Sequence, residues 1–254
     1  MPNVIPKFFF DRLRTEPIPS TVPGSLPVLF FGDAFVARIA TIGINPSRQE
    51  YLSRNGDELE GPRRRFETLR SLGALSRSSL DDRQANTAIE RMRCYFNPDS
   101  PVYGWFGGLS RVAEGMGVSF RDRSAVHLDL IQEATDPVWS QLAKADPEQA
   151  ESVLRRDLHF LQRQIEELRF RIIVCTSARV YSEVSRMLAI SAINKGRLAR
   201  LEWTIGTASL AHGTVAIAAW NIPLARATGL DMDGQREFGK LLRSKLGMTG
   251  IEMD

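Results

Sequence analysis

Three polar segments in this 254-residue chain each follow a short apolar run, and together they hold the residue types best suited to chemistry. The first is Gly43-Ile44-Asn45-Pro46-Ser47-Arg48-Gln49-Glu50-Tyr51. The second is Ala125-Val126-His127-Leu128-Asp129-Leu130, followed by Gln132, Thr135, Asp136 and Pro137. The third is Trp220-Asn221-Ile222-Pro223-Leu224-Ala225-Arg226-Ala227-Thr228-Gly229. Amides, hydroxyls and a carboxylate recognise a polar ligand by hydrogen bonds. An ionised carboxylate only accepts them, whereas an amide both accepts and donates. His127 and Asp129 stand two apart, so on a strand they share one face. Each segment alone also reads as turn chemistry, Asn-Pro-Ser most plainly. Gathered on one sheet edge with arginines nearby, they read as a site.

Four apolar runs predict the buried strands that bring them together: Ala37–Ile44, Ala125–Leu130, Arg171–Cys175 and Thr214–Ala219. They are rich in β-branched or small apolar residues and end in turn signals. Helical patterns lie between and after them. One opens at Asp146-Pro147, an N-cap followed by proline at the first helical position, and carries Val153, Leu154, Leu158, Leu161, Ile165 and Leu168 at helical spacing. Ser177–Leu188 reads as a second helix, and Gln235–Leu246, ended by Gly247, as a third. Leu201–Ile205 reads as a short edge strand or hairpin. Strands alternating with helices predict an α/β fold, a three-layer αβα sandwich around a central, mainly parallel four-stranded sheet. In such sheets a ligand sits beyond the carboxyl ends of the strands.

Residues 1–27, with Pro2, Pro6, Pro17, Pro19, Pro23 and Pro27, read as an extended arm pinned to the body by Phe8, Phe9 and Phe10. Residues 28–254 then form a single domain. Of 254 residues 43% are hydrophobic and 25% charged, a composition that excludes collagen-like and wholly disordered classes. No apolar run approaches the roughly 20 residues of a membrane span, and the start lacks the plan of a secretion signal, so a cytoplasmic protein without membrane contact is expected. Two cysteines, Cys94 and Cys175, and three histidines without metal-ligand spacing argue against a metal site or a disulfide framework. The net charge of +3 is too small to prove a polyanionic partner. Between Gly61 and Arg93, however, Arg63, Arg64, Arg65, Arg70, Arg77, Arg83, Arg91 and Arg93 outnumber Glu67, Asp81, Asp82 and Glu90. This stretch is either a solvated, salt-bridged face or a phosphate-reading surface. The aromatic run Tyr95–Phe106 is either a satellite core or the lip of a pocket that offers stacking surface.

Phe31-Gly32-Asp33 leading into a strand, then Gly43-Ile44-Asn45-Pro46-Ser47, resembles the uracil-DNA glycosylase superfamily, in branches whose first motif reads Gly-hydrophobic-Asn-Pro-Gly/Ser. On that resemblance, which covers about residues 28–246, Val126–Leu130 matches the strand carrying the base-reading residue, and Asn221–Leu224 matches the final motif, usually His-Pro-Ser. The implied fold is the same α/β sandwich. The implied activity is that of a DNA glycosylase, which hydrolyses the N-glycosidic bond of an extruded base to leave an abasic site, in base-excision repair or in attack on phage DNA. It needs no cofactor or metal. The implied partner is double- or single-stranded DNA, met by a monomer.

The resemblance implies that Asn45 orients the attacking water; as an amide it takes no proton. Ile44, Tyr51, Phe66 and His127 would bind the base, with Tyr51 or Phe66 stacking on it. Ser47, Arg48, Arg226 and Thr228 would hold DNA phosphates. Asn221 takes the place of the family's histidine, and Ile222 or Leu224 would fill the vacated stack. Asp129 stands where most relatives carry Asn. As a carboxylate it repels O4 of uracil and accepts from an amine such as N4 of cytosine, which favours a modified cytosine over uracil. Protonated, it still donates one bond and admits uracil. It is also a candidate for the catalytic carboxylate, or for a plain capping or salt-bridge residue. The departures from the family at Asn45 and Asn221 leave a non-catalytic nucleic-acid binding module as the alternative.

Overall fold

The run Ile39-Ala40-Thr41-Ile42-Gly43 is buried along its whole length, as a strand covered on both faces must be. So are Ala125–Asp129 and Ile172–Cys175. The computed structural model describes residues 5–224 and 230–251. Its strands are β1 (Ile39–Gly43), β2 (Ala125–Asp129), β3 (Ile172–Cys175), β4 (Ser191–Leu198), β5 (Leu201–Leu210) and β6 (Gly213–Trp220). Its helices are α1 (Lys7–Leu13), α2 (Leu69–Leu72), α3 (Asp82–Arg93), α4 (Phe106–Met116), α5 (Trp139–Ala145), α6 (Pro147–Leu168), α7 (Ala178–Leu188) and α8 (Met232–Leu246). None is long and apolar enough to cross a membrane.

Among the described residues the sheet has six strands in the order β2-β1-β3-β6-β5-β4, not the four expected. The four expected strands are all present and mutually parallel. The hairpin β4–β5 extends the sheet in the antiparallel sense from β6. The sequence hides β4 because an edge strand needs no apolar run: Ser191-Ala192-Ile193-Asn194-Lys195-Gly196-Arg197-Leu198 is mostly exposed. β5 is ten residues long where a five-residue edge was expected. The order reverses around β1, which pairs with β2 on one side and β3 on the other, and that is where open α/β sheets hold ligands.

Helix α7 packs on β3, β5 and β6 with α6 against it, and α8 packs on β5 and β6 with α4 against it, an arrangement compatible with three layers. The α4–α8 contact is close because both helices carry glycine at the crossing. A Cβ on Gly115 would strike the Arg236 carbonyl oxygen, and one on Gly239 the Val112 carbonyl oxygen. The caps agree with the sequence. Asp146 accepts from the Gln149 N–H at the start of α6, and Ser177 accepts from the Val180 N–H at the start of α7. α8 starts earlier than expected, because Asp231 caps it through the Gly234 N–H.

The proline-rich arm is not extended throughout. Pro6 and Pro17 bracket a proline-free window, and Lys7–Leu13 within it is helical. Phe8 and Phe9 are buried against Phe160, and Phe9 also meets Phe30 edge-on. Arg12 from α1 enters a buried ionic cluster with Arg77, Glu133, Arg156 and Asp157. Arg77 grips Glu133 with both ends of its fork at 2.9 Å. Burial alone would raise the Glu133 carboxyl, but hydrogen bonding to Arg77 and the charges of Arg77, Arg12 and Arg156 outweigh it and hold the group below its ordinary value.

The arginine-rich stretch is accordingly neither a simple solvated face nor an open phosphate surface. Arg77 is only 1% exposed. Arg65 donates to the Pro101 and Gln49 carbonyls, Arg91 to the Arg64 and Arg65 carbonyls, and Arg93 to Asp33. These forks staple loops together. Removing the centre of the cluster strands its cations. Glu133→Ala is expected to destabilise the fold by roughly 3–5 kcal/mol, read from the urea unfolding midpoint; a loss below about 1 kcal/mol would show that the guanidiniums find other partners.

Candidate active site

The carboxyl ends of all four parallel strands open into one cavity of about 450 Å³. β1 and the turn after it contribute Gly43, Ile44, Asn45, Pro46, Ser47 and Glu50; β2 contributes His127 and Asp129. Thr176 and Ser177 follow β3, while Trp220, Pro223 and Leu224 end β6. Tyr103 and Trp105 before α4, Phe106 and Arg111 within it, and Gln235 of α8 form the opposite wall. The aromatic run is thus partly the lip of the pocket: Trp105 is 43% exposed, while Tyr95 and Phe96 are core.

Strand register fixes one wall. Thr41 lies opposite His127, and Gly43 opposite Asp129. Thr41 Oγ1 is 2.8 Å from His127 Nδ1, and His127 Nε2 is 3.4 Å from Asp129 Oδ1. The Thr41 hydroxyl reaches both Nδ1 and the Val126 carbonyl (3.3 Å), and the tautomer with Nε2–H towards the carboxylate is the one that pairs with a charged Asp129. Phe31, Trp105 and Phe106 ring the imidazole at centroid distances of 5.4, 5.2 and 5.2 Å. Gly43 makes the room, since a Cβ there would strike Asp129 Oδ1 and lie 2.9 Å from His127 Nε2. Burial raises the Asp129 carboxyl above its ordinary value, and the adjacent His127 only partly opposes the rise.

Asn45 is anchored by its amide nitrogen, which donates to the carbonyl oxygens of Pro46 (3.0 Å) and Glu133 (3.3 Å) and to Thr135 Oγ1 (3.4 Å). Its Oδ1 has no hydrogen-bond partner among the described residues. The buried ionic cluster therefore reaches the site through the Glu133 backbone. Ser47 caps the short turn Arg48–Glu50 by accepting from the Gln49 N–H. Arg48 lies outside the cavity lining, paired at 2.8 Å with Asp136.

Besides Arg48, three expected site residues lie outside the lining. Tyr51 is core, 2% exposed, and its hydroxyl donates to the Leu26 carbonyl. Phe66 is core, stacked on Tyr95 at 5.1 Å. Asn221 extends the β5–β6 ladder instead of facing the cavity: its N–H donates to the Glu202 carbonyl and its Oδ1 accepts the Glu202 N–H. The cavity is reached there by Trp220, Pro223 and Leu224, and the stacking surfaces are Phe31, Tyr103, Trp105 and Phe106. Ile44, Ser47 and His127 line it as expected, as do Asn45 and Asp129. Arg226 and Thr228 lie outside the described residues. No group of three or more His, Cys, Asp or Glu side chains among the described residues is placed to hold a metal ion.

Glu50 was not among the expected site residues. It is 2% exposed and lines the cavity, and the Tyr95 hydroxyl donates to its Oε2 at 2.8 Å. Burial lifts its carboxyl from the ordinary 4.5 to about 8; the Tyr95 bond and the Arg65 charge oppose this and the Asp129 charge adds to it. The only sequence signal was a carboxylate five residues past Asn45, which reads equally well as the acid of a short helical turn.

The raised Glu50 value has a sign in stability. The native state holds this proton above pH 4.5 while the unfolded chain has released it, so stability falls as pH rises from about 4.5 to about 8. Glu50→Gln removes that slope. It is expected to stabilise the protein at pH 8 relative to pH 5 by on the order of a few kcal/mol, read from unfolding midpoints at both pH values; equal effects at both would refute a buried neutral acid. Gly43→Ala is expected to destabilise by roughly 1–3 kcal/mol in the same assay, with no loss if the His127–Asp129 pair can retreat. No protein-family model matches this chain, and no curated protein does either, so its chemistry must be read from the cavity.

Proposed function

We propose that this chain is a DNA glycosylase. It hydrolyses the N-glycosidic bond of an extruded pyrimidine, a modified cytosine in preference to uracil, and leaves an abasic site. The observation that carries this reading is the meeting of Asn45 and Asp129 in one aromatic-walled cavity at adjoining strand ends. About 450 Å³ lies within the roughly 300–1,000 Å³ typical of small-molecule sites and suits a base with part of its sugar. The parallel order β2-β1-β3-β6 flanked by helices supports a uracil-DNA glycosylase-like fold, as does the Gly43–Ser47 motif at the end of β1.

In this reading the base stacks among Phe31, Tyr103, Trp105 and Phe106, and Asp129 accepts from its exocyclic amine. Asn45 Oδ1 accepts from a water beneath the sugar and aims its oxygen at C1′. As the glycosidic bond breaks, its electron pair passes to the base nitrogen, the water oxygen bonds C1′, whose positive charge is transient, and the proton that the water gives up goes to the departing base. Arg111 on the cavity wall and Arg48 beside it reach for the flanking phosphates. The Arg48–Asp136 pair is partly exposed and weak, so a phosphate can displace its carboxylate. Repair of altered bases and attack on phage genomes bearing modified cytosine both fit such an activity.

The test is incubation with oligonucleotides carrying uracil, cytosine or 5-substituted cytosines, single- and double-stranded, followed by alkaline cleavage at abasic sites. Strand breaks at a modified cytosine are expected, with the rate lowered about 10²–10³-fold in Asn45→Ala. Salt-dependent DNA binding without breaks at any base would identify a binding module and overturn the enzyme reading.

A further inference from the structure

We propose that Glu50 is a specificity-determining residue of this pocket: its acid proton donates to ring N3 of a cytosine-type base while the Asp129 carboxylate accepts from the N4 amine. The proposal rests on the glycosylase reading for the identity of the ligand as a base. It adds a second polar contact, and with it a direction to the hydrogen-bond pattern.

The hydrogen-bond chain around Glu50 places the proton. The Tyr103 N–H donates to the Tyr95 hydroxyl oxygen at 3.1 Å, and the Tyr95 hydroxyl hydrogen goes to Glu50 Oε2. Oε2 is therefore the acceptor oxygen, which leaves Oε1, without a hydrogen-bond partner among the described residues, to carry the proton of the neutral acid. No guanidinium neutralises the group by direct hydrogen bonding. Arg65 Nε lies 3.9 Å from Oε2, but its hydrogen goes to the Pro101 carbonyl at 2.7 Å. The other ionisable groups acting on Glu50 are Tyr95 and the cavity's second carboxyl, Asp129. Two carboxyl groups in one dry space do not both ionise readily, and the one beside a histidine is the better placed to carry charge. Asp129 has that histidine; Glu50 does not. Burial raises both carboxyls, but His127 opposes the rise at Asp129 whereas the charge of Asp129 adds to the rise at Glu50, in keeping with this division.

The cavity thus presents one fixed acceptor and one fixed donor. Cytosine offers an amine donor at N4 next to an acceptor at N3. Uracil and thymine offer an acceptor at O4 next to a donor at N3, the reverse at both positions. A 5-substituent leaves the N4–N3 edge of cytosine intact. Adenine, with its amine at N6 and acceptor at N1, shares the order and differs in size.

The experiment measures affinity of the whole protein for four free bases, cytosine, 5-hydroxymethylcytosine, uracil and adenine, by ligand-observed NMR. Free bases need no catalysis, so the result is independent of excision. Wild type is expected to bind cytosine or its 5-hydroxymethyl form at least tenfold more tightly than uracil. Glu50→Leu, which removes the donor, is expected to weaken cytosine about tenfold without weakening uracil. The pair Glu50→Gln, Asp129→Asn offers amides that present either order, and is expected to bring the cytosine-to-uracil ratio below about threefold. A cytosine-to-uracil ratio unchanged by substitution at Glu50 overturns the proposal, and where Glu50→Leu fails to fold, Glu50→Gln, whose amide presents either order, takes its place. Equal or tighter binding of uracil overturns the proposal, and tighter binding of adenine overturns the cytosine assignment. Cytosine preference without excision of any base sinks the glycosylase reading and keeps the edge recognition. Excision in which uracil outcompetes cytosine does the opposite.

Discussion

Desolvation of two carboxyl groups in one cavity is the constraint around which the rest of this structure is arranged. Asp129 and Glu50 stand on adjoining segments at the carboxyl ends of β1 and β2, almost without contact with water. Each would be simpler to hold in solvent. The fold instead braces them differently: Asp129 with an imidazole fixed by Thr41, Glu50 with a phenol fixed by the Tyr103 backbone. Burial raises both carboxyls, but His127 opposes the rise at Asp129 while the Asp129 charge adds to it at Glu50, and the proposed donor–acceptor pair rests on that difference. Gly43 belongs to the same arrangement, since only an absent side chain leaves space for the His127–Asp129 pair.

The second buried acidic group shows what the fold does when charge is to be kept rather than tuned. Glu133 and Asp157 are fully buried, yet three arginines from α1, the loop after α2 and α6 surround them. That cluster ties the N-terminal arm to the loop following β2, and the Glu133 carbonyl in turn holds the Asn45 amide. A stability element and a recognition element therefore share one loop. The contrast between them is the presence or absence of a guanidinium fork. Where forks converge the carboxylate stays charged and inert, and where none donates the carboxyl is free to act on a ligand.

The strands that build the cavity were legible because their apolar runs are continuous and end in turn residues. Asn45, His127 and Asp129 were legible because chemistry in parallel sheets collects at strand ends. Residues that serve either of two purposes were not. An amide at a strand end can face a ligand or continue a ladder, and Asn221 continues the ladder with Glu202. An aromatic after a motif can stack on a ligand or fill the core, and Tyr51 and Phe66 fill the core. An arginine run can be solvated or internal, and Arg77 is internal because its acidic partner lies 56 residues away in sequence. Glu50 became visible only once the fold closed over it. The β4–β5 hairpin escaped notice because exposed edges carry no hydrophobic signal.

The unequal protonation of the two cavity carboxyls is open to direct observation by carbon-13 NMR of the Glu50 and Asp129 side chains through a pH titration. The account predicts that Asp129, raised by burial but relieved by His127, ionises before Glu50, which keeps its proton until about pH 8. A Glu50 carboxyl that ionises near its ordinary value of 4.5, in step with exposed glutamates, would contradict it.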